Sequence, residues 1–135
     1  MKVLSVIETA IYVDDLDAVE DFYQRVLGLR VIAREPDRHV FFQVGDSDVL
    51  LAFNPGTTTT GDKLPHHGAR GPGHFALGIE AQSLDDWRRQ LASCDVPIER
   101  EIEWPAGGKS IYFRDPAGNS VELITPGVWR LPSGW

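Results

Sequence analysis

Hydrophobic and polar residues alternate along residues 4–13, a stretch also rich in β-branched side chains, and that spacing predicts a strand. The period then changes. Leu16, Val19, Phe22, Tyr23, Val26 and Leu27 recur at three- and four-residue intervals, the spacing of one buried helical face, with Asp15 placed to cap its start and Gly28 its end. Three further strands are expected at residues 29–34, 38–44 and 49–53, with Gly45, Asp46, Ser47 and Asp48 turning the last pair. Residues 54–72 are rich in Gly, Pro and Thr and carry no period, so they read as a linker or lid without an element of its own. Beyond them the pattern restarts. A strand at 74–80 is followed by a helix with Ser83 and Asp86 as a capping box and Leu84, Trp87 and Leu91 as its apolar side. Strands at 97–103, 109–114 and 120–125 complete it, the last two joined by a strong turn over 115–119.

The two stretches lie on each other almost without gaps. Glu8-Thr9-Ala10-Ile11-Tyr12-Val13 falls on His74-Phe75-Ala76-Leu77-Gly78-Ile79, and residues 39–53 fall on 110–124, stretches of equal length. This is an internal duplication. It predicts one α+β domain over residues 1–135 made of paired βαβββ modules: the first at 4–53, a linker at 54–72, the second at 73–125 and a tail at 126–135.

Side chains alternate across a strand, so each strand has one face under the helices and one turned away. In the first strand Ile7, Ile11 and Val13 take the helix-covered face, and Glu8 shares the other with Ala10 and Tyr12. In the strand opening the second half, Phe75, Leu77 and Ile79 form the apolar set and leave His74 opposite them. In the last strand Val121 and Leu123 face the helices and Glu122 faces away. A carboxylate among apolar neighbours costs several kcal/mol to bury unless it is paired or binds a cation. Glu8, His74 and Glu122 are therefore the candidate ligands of one divalent metal ion (Mn, Fe, Co, Ni or Zn), a set that leaves coordination positions open for substrate.

Charge and cysteine content narrow the setting. A formal net charge of -7 with scattered basic residues argues against a nucleic-acid partner. The opening apolar run is cut short by Glu8 and the Asp14-Asp15 pair, so neither a signal peptide nor a membrane span is expected. The single cysteine, Cys94, fits a reducing compartment and a cytoplasmic protein. With 135 residues, 42% of them hydrophobic, the chain can bury one ordinary core.

Four stretches carry a resemblance: Ile11-Tyr12-Val13-Asp14-Asp15-Leu16; Phe22-Tyr23-Gln24-Arg25-Val26-Leu27-Gly28-Leu29; Gly73-His74-Phe75-Ala76-Leu77; and Phe113-Arg114-Asp115-Pro116-Ala117-Gly118-Asn119-Ser120-Val121-Glu122-Leu123. Together they resemble the vicinal oxygen chelate superfamily, which includes glyoxalase I, methylmalonyl-CoA epimerase, fosfomycin-resistance enzymes, bleomycin-resistance proteins and extradiol dioxygenases. The resemblance implies an incompletely closed eight-stranded barrel, one divalent metal that binds vicinal oxygens of a small-molecule substrate, and commonly a homodimer. By position His74 and Glu122 match the family's His and final Glu ligands. Glu8 stands where many members have His and some glyoxalases Gln, which departs from the 2-His-1-carboxylate triad of Fe(II) oxygen chemistry. Glyoxalase I has a further Glu, ligand and base, on the strand matching residues 49–53. The duplication puts Leu51 there, with Leu50 the alternative register, and this disfavours true lactoylglutathione lyase activity.

The leading expectation is a metal-dependent enzyme of lyase, isomerase or group-transfer type, with Glu8 or Glu122 doubling as proton shuttle. Arg38, His39, Trp104, Tyr112 and Arg114 are candidate substrate-binding residues, with Lys109 beside the turn after Trp104. His66 and His67 precede His74 in the linker, and His67 is a candidate acid or base. Trp129 and Trp135 in the tail would close the site or pad a dimer contact. Two alternatives stand beside this reading. One is a metal-free binder of aromatic or cationic drugs, as bleomycin-resistance proteins are, served by Tyr12, Phe41, Trp104 and Tyr112. The other is an extradiol-type dioxygenase with an unusual ligand set.

Overall fold

The computed structural model describes residues 1–60 and 64–135. The 61–63 portion of the expected linker lies outside the described residues. The chain divides into two compact units, Met1–Gly73 and His74–Trp135.

The first unit runs β1 (Glu8–Tyr12), α1 (Leu16–Leu27), β2 (Arg30–Glu35), β3 (His39–Val44), β4 (Asp48–Phe53) and a short α2 (Pro55–Thr58). Helix α1 forms where its apolar spacing placed it. Asp15 accepts a hydrogen bond from the Ala18 amide at 2.9 Å. Gly28, at φ 67°, ends the helix in the left-handed conformation, and the Leu29 amide closes back on the Tyr23 carbonyl at 3.0 Å. The strands order as β1-β4-β3-β2, with β1 parallel to β4 and the others antiparallel. Val19, Tyr23 and Val26 of α1 are buried, as are Ile11, Val40, Phe42, Leu50 and Ala52 of the sheet, and Tyr23 packs on Phe42 with ring centroids 5.3 Å apart. Each fully buried Val, Leu, Ile or Phe among them contributes roughly 1.5–3 kcal/mol.

The second unit repeats this plan as β5 (His74–Gly78), α3 (Leu84–Ser93), β6 (Arg100–Glu103), β7 (Lys109–Arg114) and β8 (Ser120–Ile124), in sheet order β5-β8-β7-β6. The duplication read from the sequence reappears in the pairing. His39 pairs with Phe53 at one end of the β3–β4 hairpin, and Ser110 pairs with Ile124 at the matching end of β7–β8. Its core holds Leu91, Ile111, Phe113, Val121 and Leu123. No helix among the described residues is long and apolar enough to cross a membrane.

Three local expectations need correction. The linker carries an element, α2, because Asn54 caps it through the Gly56 amide at 2.9 Å and Pro55 supplies the fixed φ of a first helical turn. The Ser83–Asp86 capping box does not form: a 3-10 turn over Ala81–Ser83 holds Ser83 in helical geometry, and its hydroxyl donates to the Glu80 carbonyl instead. The first strand begins at Glu8, and Ile7, expected on the covered face, is exposed.

Candidate functional site

Strand alternation decides where the second unit's polar groups point. On β8, Val121 and Leu123 are fully buried, which turns Glu122 to the opposite face. Glu122 is nevertheless only 5% exposed, on a strand flanked by β5 and β7. Tyr112 is its cross-strand partner, and the Ser110 hydroxyl donates to Glu122 Oε1. Ser110 in turn accepts from the Trp104 indole N–H at 2.8 Å. One carboxylate oxygen is thus satisfied by a relay of two side chains.

The other oxygen faces a histidine. His74 opens β5 beside Ser120 of β8, and its Nε2 stands 3.4 Å from Glu122 Oε2. His74 Nδ1 lies 3.1 Å from the Ser120 carbonyl, which only accepts, so the Nδ1 proton is engaged there. That leaves Nε2 as the nitrogen offered to Glu122. An imidazole anchored to a carbonyl through one nitrogen and open at the other is the arrangement of a metal-ligating histidine. Two donors about 2.1 Å from one tetrahedral ion stand about 3.4 Å apart, the separation found here. The pair fits a divalent cation. Among the described residues no group of three or more histidine, cysteine and acidic side chains is gathered ready to cage one.

Tyr112 borders the pair, its ring stacked near His74 at a centroid distance of 6.2 Å. Burial, and then the hydrogen bond and charge of Glu122, hold its phenol above the usual tyrosine range, so it remains a proton donor at neutral pH. Arg114 is held by Glu99, with Nε at 2.6 Å and Nη2 at 3.0 Å from its two oxygens, and donates to the Gly118 carbonyl. With Tyr112 and Ser120 it edges an open groove of about 510 Å3. Lys109 pairs with Glu103 at 3.3 Å. In the tail Trp129 is exposed, whereas Trp135 lies on Gly78, so closely that a Cβ there would meet its ring at 2.3 Å. Gly78 shares its strand face with His74, so Trp135 covers the far end of that face.

The other predicted residues belong to the first unit. Glu8 is exposed at the start of β1 and pairs in register with Val49, as His74 does with Ser120. Ala10 pairs with Leu51 as Ala76 pairs with Glu122, so Leu51 occupies the repeat's counterpart of Glu122, and Leu50 is buried on the helix side. Arg38, His39 and His67 gather with Phe41, Phe53 and Thr58 around a cleft of about 560 Å3. His67 Nδ1 meets the Tyr12 hydroxyl at 2.8 Å, and burial holds the His39 imidazole below the usual histidine range. Two residues of consequence went unread in the sequence. Ser110 shares a strand face with Tyr112, a parity that marks it in hindsight. Thr58 lay in the segment taken for a linker, although Asn54-Pro55 is a helix start.

The sequence pattern of the family described as Glyoxalase/Bleomycin resistance protein/Dioxygenase superfamily matches residues 5–123. The crystal structure of lactoylglutathione lyase from Agrobacterium tumefaciens is 40% identical and superposes with a TM-score of 0.89, covering 94% of this chain and 97% of that one. Among curated proteins, Uncharacterized protein PA2024 of Pseudomonas aeruginosa is 30% identical over 91% of this chain and 93% of its own length. Metallothiol transferase FosB of Bacillus licheniformis is 26% identical, over 95% of this chain and 79% of its own.

Proposed function

This chain belongs to the Glyoxalase/Bleomycin resistance protein/Dioxygenase superfamily, and we propose that within it the protein is a metal-dependent enzyme performing lyase, isomerase or group-transfer chemistry on a small oxygenated substrate. The names of its relatives, a lactoylglutathione lyase and a metallothiol transferase, support that range. The observation that carries it is the His74–Glu122 pair, with Nδ1 anchored on Ser120 and Nε2 directed at a buried carboxylate oxygen. Glu8, the repeat's counterpart of His74, is the proposed third ligand.

When bound, a divalent ion supplies Lewis acidity toward a carbonyl or hydroxyl pair. The protein's own groups do the rest. Ser110 and Trp104 fix Glu122 so that Oε2 is the oxygen available to hold the ion or take a proton. Glu8, exposed on β1, is the second candidate shuttle. His67, oriented by Tyr12, serves as acid or base. Tyr112 and Arg114, along one groove, are the proposed substrate-binding residues of the second unit, Arg38 and His39 those of the first, and Trp104 orients Glu122 through Ser110. With Leu51 in place of a second acid, a reaction needing a carboxylate at that register is disfavoured. The enzyme is proposed to work as a cytoplasmic homodimer, and a monomer mass in sedimentation would remove the dimer.

Elemental analysis of freshly purified protein tests the reading. About one equivalent of Mn, Fe, Co, Ni or Zn is expected, lost or strongly reduced in His74→Ala and Glu122→Gln and weakened in Glu8→Gln. If no metal is found and none of these ions raises the thermal midpoint, the enzyme reading fails.

A further inference from the structure

The cleft in the first unit contains three polar atoms without a use. Arg38 Nε, His39 Nδ1 and Thr58 Oγ1 are buried and have no hydrogen-bond partner among the described residues. Thr58 is only 4% exposed. Leaving such atoms unmet lowers stability, so three around one cleft point to a ligand that meets them.

The surroundings narrow the ligand's chemistry. Arg38 Nε and His39 Nδ1 approach the same oxygen, Glu35 Oε2, at 3.6 and 3.7 Å, close enough to feel its charge and too far to donate to it. Glu35 is 58% exposed at the mouth of the cleft, so both donors remain for an oxygen brought from outside. The backbone holds Arg38 firmly in this position. Asp37 takes the left-handed conformation at φ 61°, the Arg38 amide donates to the Glu35 carbonyl at 3.1 Å, and the Arg38 carbonyl accepts from Asn54 at 2.8 Å.

The remaining wall is aromatic. His39 stacks on Phe41 with centroids 4.0 Å apart, Phe41 meets Phe53 edge to face at 5.1 Å, and His67 meets Phe53 at 4.7 Å. Such a wall accepts a flat apolar ring by stacking and edge contacts. We propose that this cleft binds a small aromatic carboxylate, its ring against Phe41 and Phe53 and its carboxylate taken by Arg38, His39 and the Thr58 hydroxyl. All of these groups lie in the first unit and none is a proposed metal ligand, so the inference deepens the substrate-binding assignment made above for Arg38 and His39 and rests on that assignment, whereas the binding itself needs no metal.

Benzoate titrated into chelator-treated protein, followed by amide chemical shifts, tests it without any metal. Saturable binding is expected, with shifts concentrated in β3, β4 and α2, and with benzamide and benzylamine each bound at least about tenfold more weakly. Arg38→Gln should weaken benzoate by about tenfold or more. Thr58→Val should also weaken it, yet leave the thermal midpoint of the free protein unchanged or raised, which a purely structural hydroxyl would not do. Glu35→Gln removes the competing acid and should tighten binding. No saturation by benzoate, tighter binding of benzylamine, or parental affinity in both Arg38→Gln and Thr58→Val would overturn the proposal. Benzoate binding to a protein that takes up no metal would leave it intact while removing the enzyme reading.

Discussion

Position 110 holds a hydroxyl that links the indole of Trp104 to the carboxylate of Glu122, and both partners depend on it. Ser110→Ala should leave the Trp104 N–H and Glu122 Oε1 without that partner, lowering stability by about 1–3 kcal/mol in urea denaturation. It should also weaken divalent-metal binding by roughly 10–100-fold, since Glu122 loses its orienting contact. Unchanged stability and metal affinity would show that the relay has no such role. His39 gives a pH dependence with a definite sign. Burial lowers its pKa, against Glu35 and with Arg38, below the ordinary 6.5. The unfolded chain therefore binds the proton more readily, and the stability His39 contributes is present above pH 6.5 and lost as pH falls below it. Parent protein should lose more stability between about pH 7.5 and about pH 5 than His39→Gln, measured by denaturation at each pH. His67, on the same Phe53, and the neighbouring Glu35 and Arg38 remain in both proteins and cancel in the comparison.

Among the elements, the two long helices make an instructive pair, because both were predicted from spacing and caps and only one cap formed. Asp15 satisfies the Ala18 amide, so Asp15→Ala should cost about 1 kcal/mol by thermal or chemical denaturation. Ser83→Ala should cost only a few tenths, since that hydroxyl makes no cap bond. Equal losses would contradict the cap assignment. The apolar face of α1 was legible because six side chains repeat one period and all six are buried. The cap of α3 was not, because a 3-10 turn upstream already fixes Ser83, and nothing in a four-residue motif reports that turn. Helix α2 escaped for a related reason: four residues are too short to display a period, so only its Asn-Pro start could announce it.

Over the whole molecule, duplication organises both the fold and the candidate chemistry. Each unit arranges its strands in the same order, and the same two register positions carry Glu8 and Leu51 in one, His74 and Glu122 in the other. The repeat has kept its hydrophobic faces, which the fold requires, and differs at positions turned away from the helices, where the candidate ligands lie. By itself the sequence determined the α+β class, the paired βαβββ modules and the face on which each candidate ligand lies, because strand and helix periods are local properties of the chain. Only the tertiary structure decided that Glu122 is buried rather than exposed, that Ser120 anchors His74, and that Arg38, His39 and Thr58 share a cleft. Those facts depend on which strands pair and in what register, and pairing joins residues 46 apart for His74 and Ser120, beyond the reach of any local pattern.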